Sequence, residues 1–528
     1  MESIRLFARN GEAVRQALER GEFTHLDTAS EEITDEFLLF AIKSGLLKQW
    51  ANSFPDPRAW AEISCEVILA AELTARFAGI YSQRKSGYVL RSARVLGALG
   101  YSVEVLEEGD GLSGRGTAED QLYSGDVLRK MIGKLEKQSK VKAEDRAAAI
   151  QGGAAVKVRE RASRRVVKDS KLDEAKAAAR SAAVARLLLA WYNLKIGPGL
   201  LGYAQMGEGR RIHILDATKI EVALEAGNYE CSGVVKDDDD GRLKRGYKLG
   251  TLRTLLDTAG IITQAIVGQI QTHDSKLCNS LVRESTVLRE GDLLLEDRGF
   301  LDGATITHLK CKRGVDVIVP LRCDMSSYEE AVKLAEMAGE WRKHPTRIAQ
   351  QIAFVSGVEH VWKECDAALN ACVIRFFNEK KRAIDYIVLV TTDLRLSAEW
   401  IVRHYEQRPE VEQDYEQLKS GGWFLKKLSS TRYSQVVFYL LTVVLGYSLY
   451  HLFANTAAGA RFADKTRQAI AFEQLKSRRT HVIVYAGGYF EIFETLSFVH
   501  LALVLSPSVQ TRLRHWLEDH LPQLSNRR

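Results

Sequence analysis

Between Arg211 and Arg322 strand-length apolar runs and helical stretches follow one another in a fixed order. RIHILDATKI, GYKLGTLRTLLDTAG and IITQAIVGQIQTHD read as three successive antiparallel strands. A helix over Ser275–Glu284, the strand DLLLED, a helix over Gly303–Lys312 and the strand VDVIVPLR follow. Strands that pair first with near neighbours and then alternate with helices call for a mixed α+β sheet with helices packed on it. That constraint holds whatever the flanking segments do.

Those flanks differ in texture. Residues 1–125 read as helical, with one apolar-periodic helix over Ser64–Phe77. A second helix over YSQRKSGYVLRSARVLGALG, with cations on one side, makes a helix-turn-helix-like pair with it. Arg84, Lys85, Arg91 and Arg94 are its candidate DNA contacts. Residues 126–205 form a basic helical arm that the IGPG turn at Ile196–Gly199 closes. From Arg129 to Arg186 there are 17 Lys and Arg against 7 Asp and Glu, whereas the whole chain carries only +6. A local cationic excess of this kind marks a surface for a polyanion, with Arg159, Arg161, Arg164, Arg165 and Lys168 as candidate phosphate contacts.

The composition is that of a globular chain with enough apolar residues for a large core. Its seven cysteines include no C-x-x-C pair and no partnered His spacing. Structural zinc and a disulfide framework are therefore not expected, and a reducing, cytoplasmic setting is. No signal peptide is legible at the N-terminus. Val436–Phe453 is apolar but barely of spanning length and is interrupted by Thr, Gly, Ser and His, so it reads as a buried core helix, with no membrane partner.

The chemistry is written in three places. YEQRPEVEQDYEQLK spaces Tyr405, Arg408, Glu412 and Lys419 as Y-x2-R-x3-E-x6-K. On an ideal helix, at about 100° per residue, these four would share an arc of roughly 60°. Pro409 interrupts that ideal, and is expected to start the helix carrying Glu412 and Lys419 while Tyr405 and Arg408 hang from a preceding turn. Asp216 follows the apolar stretch Ile212–Leu215, and Asp297 ends DLLLED directly before Arg298, Gly299 and Phe300.

These three motifs, in this order, resemble the Y-R-E-K branch of bacterial insertion-sequence transposases, DDE enzymes with an RNase H-like core. The resemblance runs roughly from Arg210 to Phe453. It implies an RNase H-like core over 206–322 and 396–456, interrupted by a β-rich insertion over 323–395. The remaining 457–528 is expected to be a helical C-terminal region offering a dimer contact. Asp216, Asp297 and Glu412 are the implied catalytic residues, holding two Mg²⁺ ions for which Mn²⁺ substitutes. Hard carboxylate oxygens suit such ions. Tyr405, Arg408, Lys419 and Arg298 would bind DNA phosphate. Trp362 and Trp341 are candidates for stacking on a flipped base, as some relatives do. The implied activity is cleavage at transposon ends and 3′-OH strand transfer, with transposon-end and target DNA as partners and a homodimer as the working unit, nucleoid-associated in a prokaryote. The alternatives are a catalytically silent DNA-binding descendant or a structure-specific nuclease of the same fold. Asp237–Asp240 read as a solvated loop, and His273 and Asp274 as structural or supporting residues.

Overall fold

The computed structural model describes residues 8–30, 33–90, 93–101, 112, 122–152, 164–204, 209–224, 229–237, 241–256, 260–462 and 480–520. Fourteen strands are assigned among them: β1 Ala8–Arg9, β2 His25–Ser30, β3 Ile212–Val222, β4 Gly233–Lys236, β5 Leu243–Leu255, β6 Gly260–Gln269, β7 Leu293–Glu296, β8 Asp316–Pro320, β9 Arg342–Lys343, β10 Gln351–Ser356, β11 Asn370–Asn378, β12 Ala383–Thr391, β13 Thr480–Ala486 and β14 Tyr489–Glu494.

Ten of these form one mixed sheet. Its order is β6 and β4 beside β5, then β3, β7, β8, β12, β11, β10 and β9. β3 pairs antiparallel with β5 across the excursion that carries β4, and β5 pairs antiparallel with β6 through a short hairpin connection. β7 then lies parallel to β3 in register Ile212↔Leu293, and β8 parallel to β7. The crossovers are helical, over Asp274–Arg283 and over Gly303–Thr307 with its continuation His308–Lys312. Parallel strands need such connections and are covered on both faces, which explains why every residue of β7 and β8 is buried. The strands of the expected insertion continue this sheet, because β12 pairs antiparallel with β8 through Leu389↔Pro320 to Thr391↔Ile318.

The apolar helix Tyr433–Ala454 is long and apolar enough to cross a membrane, yet 94% of its most apolar window is buried inside the fold. It packs on β6 and on the helices Cys65–Phe77 and Arg164–Trp191. Ser434 fixes the crossing: its amide donates to Ser181 Oγ at 2.8 Å, and its hydroxyl donates to Glu136 at 2.7 Å. The C-terminal half of the basic arm is thus a core element, with Ala182–Ala185 and Leu188 buried.

Four sequence expectations are corrected here. The IGPG turn does not end the helical region: Pro198 sits in the first turn of a further helix, Gly197–Tyr203, where its missing N–H costs nothing. A Cβ on Gly197 would lie 1.6 Å from the Thr263 carbonyl, so only glycine lets that helix meet β6. The helix expected after Gly79 is two pieces, a 3-10 turn Gln83–Tyr88 and a short helix Ala93–Ala98. The N-terminal region is not wholly helical, nor is the tail. β1 and β2 join β13 and β14 in a separate sheet of order β1-β14-β13-β2, with its own core of Val14, Leu18, Phe23, Leu26, Val484 and Phe493.

Candidate active site

Asp216 lies on the central strand β3, opposite Thr251 of β5. Strand alternation points its carboxylate away from the Leu215 side of the sheet. Asp297 is the first residue beyond β7, the neighbour of β3, and caps the 3-10 turn Arg298–Phe300. Two adjacent parallel strands therefore bring the two carboxylates to neighbouring positions, Asp216 within β3 and Asp297 just past the end of β7.

Glu412 comes from the far segment. The helix Ala398–Tyr405 ends at Tyr405, Arg408 sits in the turn that follows, and Pro409 immediately precedes the helix Glu410–Ser420. Glu412 and Lys419 thus share one helix while Tyr405 and Arg408 stand before it, the arrangement Pro409 calls for. Three contacts dock this helix on the sheet. The Tyr415 hydroxyl donates to the Asp216 carbonyl at 3.0 Å and lies 2.6 Å from Thr251 Oγ1. Glu410 accepts from Arg253 of β5 at 3.1 Å. Asp414 pairs with the same Arg253 and accepts from Tyr447 of the core helix at 2.7 Å.

The three acids meet on one guanidinium. Arg408 Nη2 is 3.2 Å from Asp216 Oδ2 and 3.7 Å from Asp297 Oδ2, while Nη1 pairs with Glu412 Oε1. Burial opposes the Arg408 charge, but Asp216 and Asp297 hold its pKa above the usual value, so it stays ionised. Asp216 is the most enclosed of the three acids. Burial pushes its pKa up to about 6; Arg408 and the Ala217 amide pull it down, and Asp297 and Glu412 push it up. Burial, and then the charge of Asp297, also raises the Tyr405 phenol. Lys419 is half-buried with its pKa lowered, first by burial and then by Lys426.

Three hard oxygen donors thus converge on one cation, the Arg408 guanidinium. Among the described residues no group of three or more His, Cys, Asp and Glu is arranged to hold a metal ion.

Other expected residues fall elsewhere. Arg298 is exposed beside Asp297. Trp362 is a core residue, 7% exposed, and Arg375 lies over one face of the Trp341 ring at 3.9 Å from its centroid. Arg84 and Lys85 are exposed on the 3-10 turn, and Arg94 pairs with Glu36 at 3.1 Å. Arg164, Arg165 and Lys168 lie in the first turns of the helix Arg164–Trp191. Arg91, Arg159, Arg161 and Asp238–Asp240 are outside the described residues. Asp237 is buried and paired with Lys244 at 2.8 Å. Asp274 pairs with Lys248 at 2.6 Å and sits where a Cβ on Gly299 would be 3.3 Å away, which makes it a support of the Asp297 turn.

Sequence reading missed the docking set Thr251, Arg253, Asp414 and Tyr415. A signal for part of it is present: Asp414 follows Glu412 by two residues, on the opposite side of the helix, and Tyr415 by three, beside Glu412 on its flank. It also missed Glu296, a buried acid at the end of β7 with neither carboxylate oxygen hydrogen-bonded, its pKa pushed up to about 8 by burial and by Asp302.

Residues 207–449 match the transposase DDE domain. The matched segment takes in β3 to β12 and reaches into the core helix, so all three acids and the docking helix lie inside it. Among curated proteins none matches the chain.

Proposed function

We propose that the chain is an insertion-sequence transposase of the Y-R-E-K branch, cutting DNA at its transposon ends and joining the freed 3′-hydroxyl to target DNA. The observation that carries this reading is the convergence of Asp216, Asp297 and Glu412, from three distant segments, on the single Arg408 guanidinium. The order β6-β5-β3-β7-β8, with β7 and β8 parallel to β3, supports an RNase H-like core. We further place the working unit as a dimer on paired ends, in a prokaryotic cytoplasm.

Asp216, Asp297 and Glu412 would hold Mg²⁺ or Mn²⁺. Bound there, the ions supply Lewis-acid stabilisation of the attacking and leaving oxygens. In the first step water attacks phosphorus and the P–O3′ bond breaks, leaving a 3′-hydroxyl. In the second that hydroxyl attacks a target phosphorus and displaces its 3′-oxygen. Arg408, freed from the acids, would neutralise a phosphate held beside them. Tyr405 stays protonated and so can donate to a phosphate oxygen, while Lys419 and Arg298 add charge along the strand.

Excision of a marker flanked by the element's own ends tests the reading. The wild type is expected to excise with Mg²⁺ and not with EDTA, and Glu412→Gln to lose at least about 100-fold, more than the loss of a mere supporting contact. Excision unchanged in Glu412→Gln would remove that residue from the site. Specific end binding without excision by either protein would make the chain a silent DNA-binding descendant, and cutting governed by DNA structure rather than by the ends would make it a nuclease.

A further inference from the structure

A second cationic place lies away from the triad. The 3-10 turn Gln83–Tyr88 brings Arg84 to one wall of a cleft of about 790 Å³, and the first turns of the helix Val127–Gln138 bring Arg129 and Lys130. The two walls touch through Gly125, where a Cβ would lie 2.3 Å from the Arg84 carbonyl, so their separation is fixed by backbone contact. The third wall is the loop Leu428–Arg432, which offers hydroxyls and Arg432. No Asp or Glu lines the cleft among the described residues. Asp126 pairs with Arg129 at 3.0 Å and Glu136 with Arg432 at 2.5 Å, which orients those two cations while leaving both partly exposed.

The third wall is also the continuation of the Glu412 helix. Beyond Lys419 the chain turns at Gly421, presents Lys426 and Lys427 to solvent, and then enters the cleft at Leu428. The segment that leaves the triad helix thus carries Lys419, then Lys426 and Lys427, before it reaches Arg432 in the cleft. The spread of these cations over several elements suits an extended polyanion rather than a compact one.

We propose that this cleft holds the phosphate backbone of the duplex flanking the cut, with Lys426 and Lys427 as the track between it and the triad. The proposal rests on the reading of the triad as a DNA-cutting site. Contacts of this kind are independent of sequence and are read as counterion release: each neutralised phosphate adds about 0.9 to the slope of log K against log salt.

The test uses the full chain and a fluorescein-labelled duplex of random sequence, with anisotropy recorded over a salt series. Arg129→Gln with Lys130→Gln is expected to lower the slope by about 2 and weaken binding most at low salt. The pair Lys426→Gln with Lys427→Gln, on an exposed loop, gives the same readout should the first variant fail to fold, which its melting curve reports. Slopes equal to wild type in both variants, with wild type still cutting its ends, would overturn the cleft proposal and leave the transposase reading standing. Wild type that neither binds nor cuts end DNA would defeat the transposase reading itself, and the cleft proposal with it. Loss of inorganic phosphate binding in the first pair without any change in the DNA slope would make the cleft a small-anion site and overturn the proposal.

Discussion

At the residue scale, Arg408 decides how the site waits. Three carboxylates brought together without a counter-cation repel one another, and the guanidinium removes that repulsion. On the proposed reading it would also compete with a divalent ion for the same oxygens. Arg408→Gln is therefore expected to melt at a lower temperature than wild type in EDTA and to recover on addition of Mn²⁺. The Mn²⁺-induced rise should exceed that of wild type, because a ligand of the folded state stabilises it more the more tightly it binds, by RT ln(1 + [L]/Kd). Calorimetric titration of DNA-free protein should show tighter Mn²⁺ binding in the variant. An equal rise and an equal affinity would mean that Arg408 does not compete with the metal. Sequence spacing singled out Arg408 as a phosphate ligand, but not its place among the acids. That place follows from the turn before Pro409, whose direction only the docked helix defines.

At the element scale, the Glu412 helix is positioned by hydrogen bonds rather than by its own sequence preference. Tyr415→Phe removes the donor to the Asp216 carbonyl and the partner of Thr251, both buried, and is expected to cost about 1–3 kcal/mol in urea unfolding. Tyr447→Phe should cost a similar amount by leaving Asp414 short of a donor in a buried place. Stability unchanged in both would show that the helix is held by apolar packing alone. The strands and crossovers between Arg211 and Arg322 were legible because alternation and apolar runs state them locally. The docking contacts were not, since Thr251 and Arg253 lie far from Asp414 in sequence and nothing local ties them. The burial of Trp362 was not legible either, as exposure is a tertiary property.

The core helix adds a pH dependence at this scale. His451 packs edge-on to Tyr447 with ring centroids 4.4 Å apart, its Nε2 buried without a hydrogen-bond partner in the fold. Burial, with Arg253 adding to it, pushes its pKa down from 6.5 to about 3. The unfolded chain then binds more protons than the folded one between those values. Stability is full above pH 6.5 and falls as pH drops towards 3, by up to about 1.4 kcal/mol per unit from this group. Denaturant unfolding at pH 7 and pH 5 should show His451→Phe losing less than wild type over that interval. Equal losses would place the acid sensitivity elsewhere.

For the whole molecule, the two ends of the chain are one structural unit. β2 is zipped to β13 from His25↔Tyr485 to Ser30↔Thr480, and β1 to β14, around a core separate from the main one. Helical periodicity at the ends could not reveal this, because a strand pair spanning almost the full chain length has no local signature. Ending the chain at Asn455 removes the partners of β1 and β2 and exposes Val14, Leu18, Phe23 and Leu26. Amides of residues 11–30 are then expected to lose hydrogen-exchange protection, while Ile214 and Leu293–Leu295, buried in the main sheet, keep theirs. Retained protection over 11–30 would mean that the N-terminal segment folds without the tail. Lost protection in β3 and β7 as well would mean that the two cores unfold as one, and the terminal sheet would then be a clamp on the active site rather than an appendage to it.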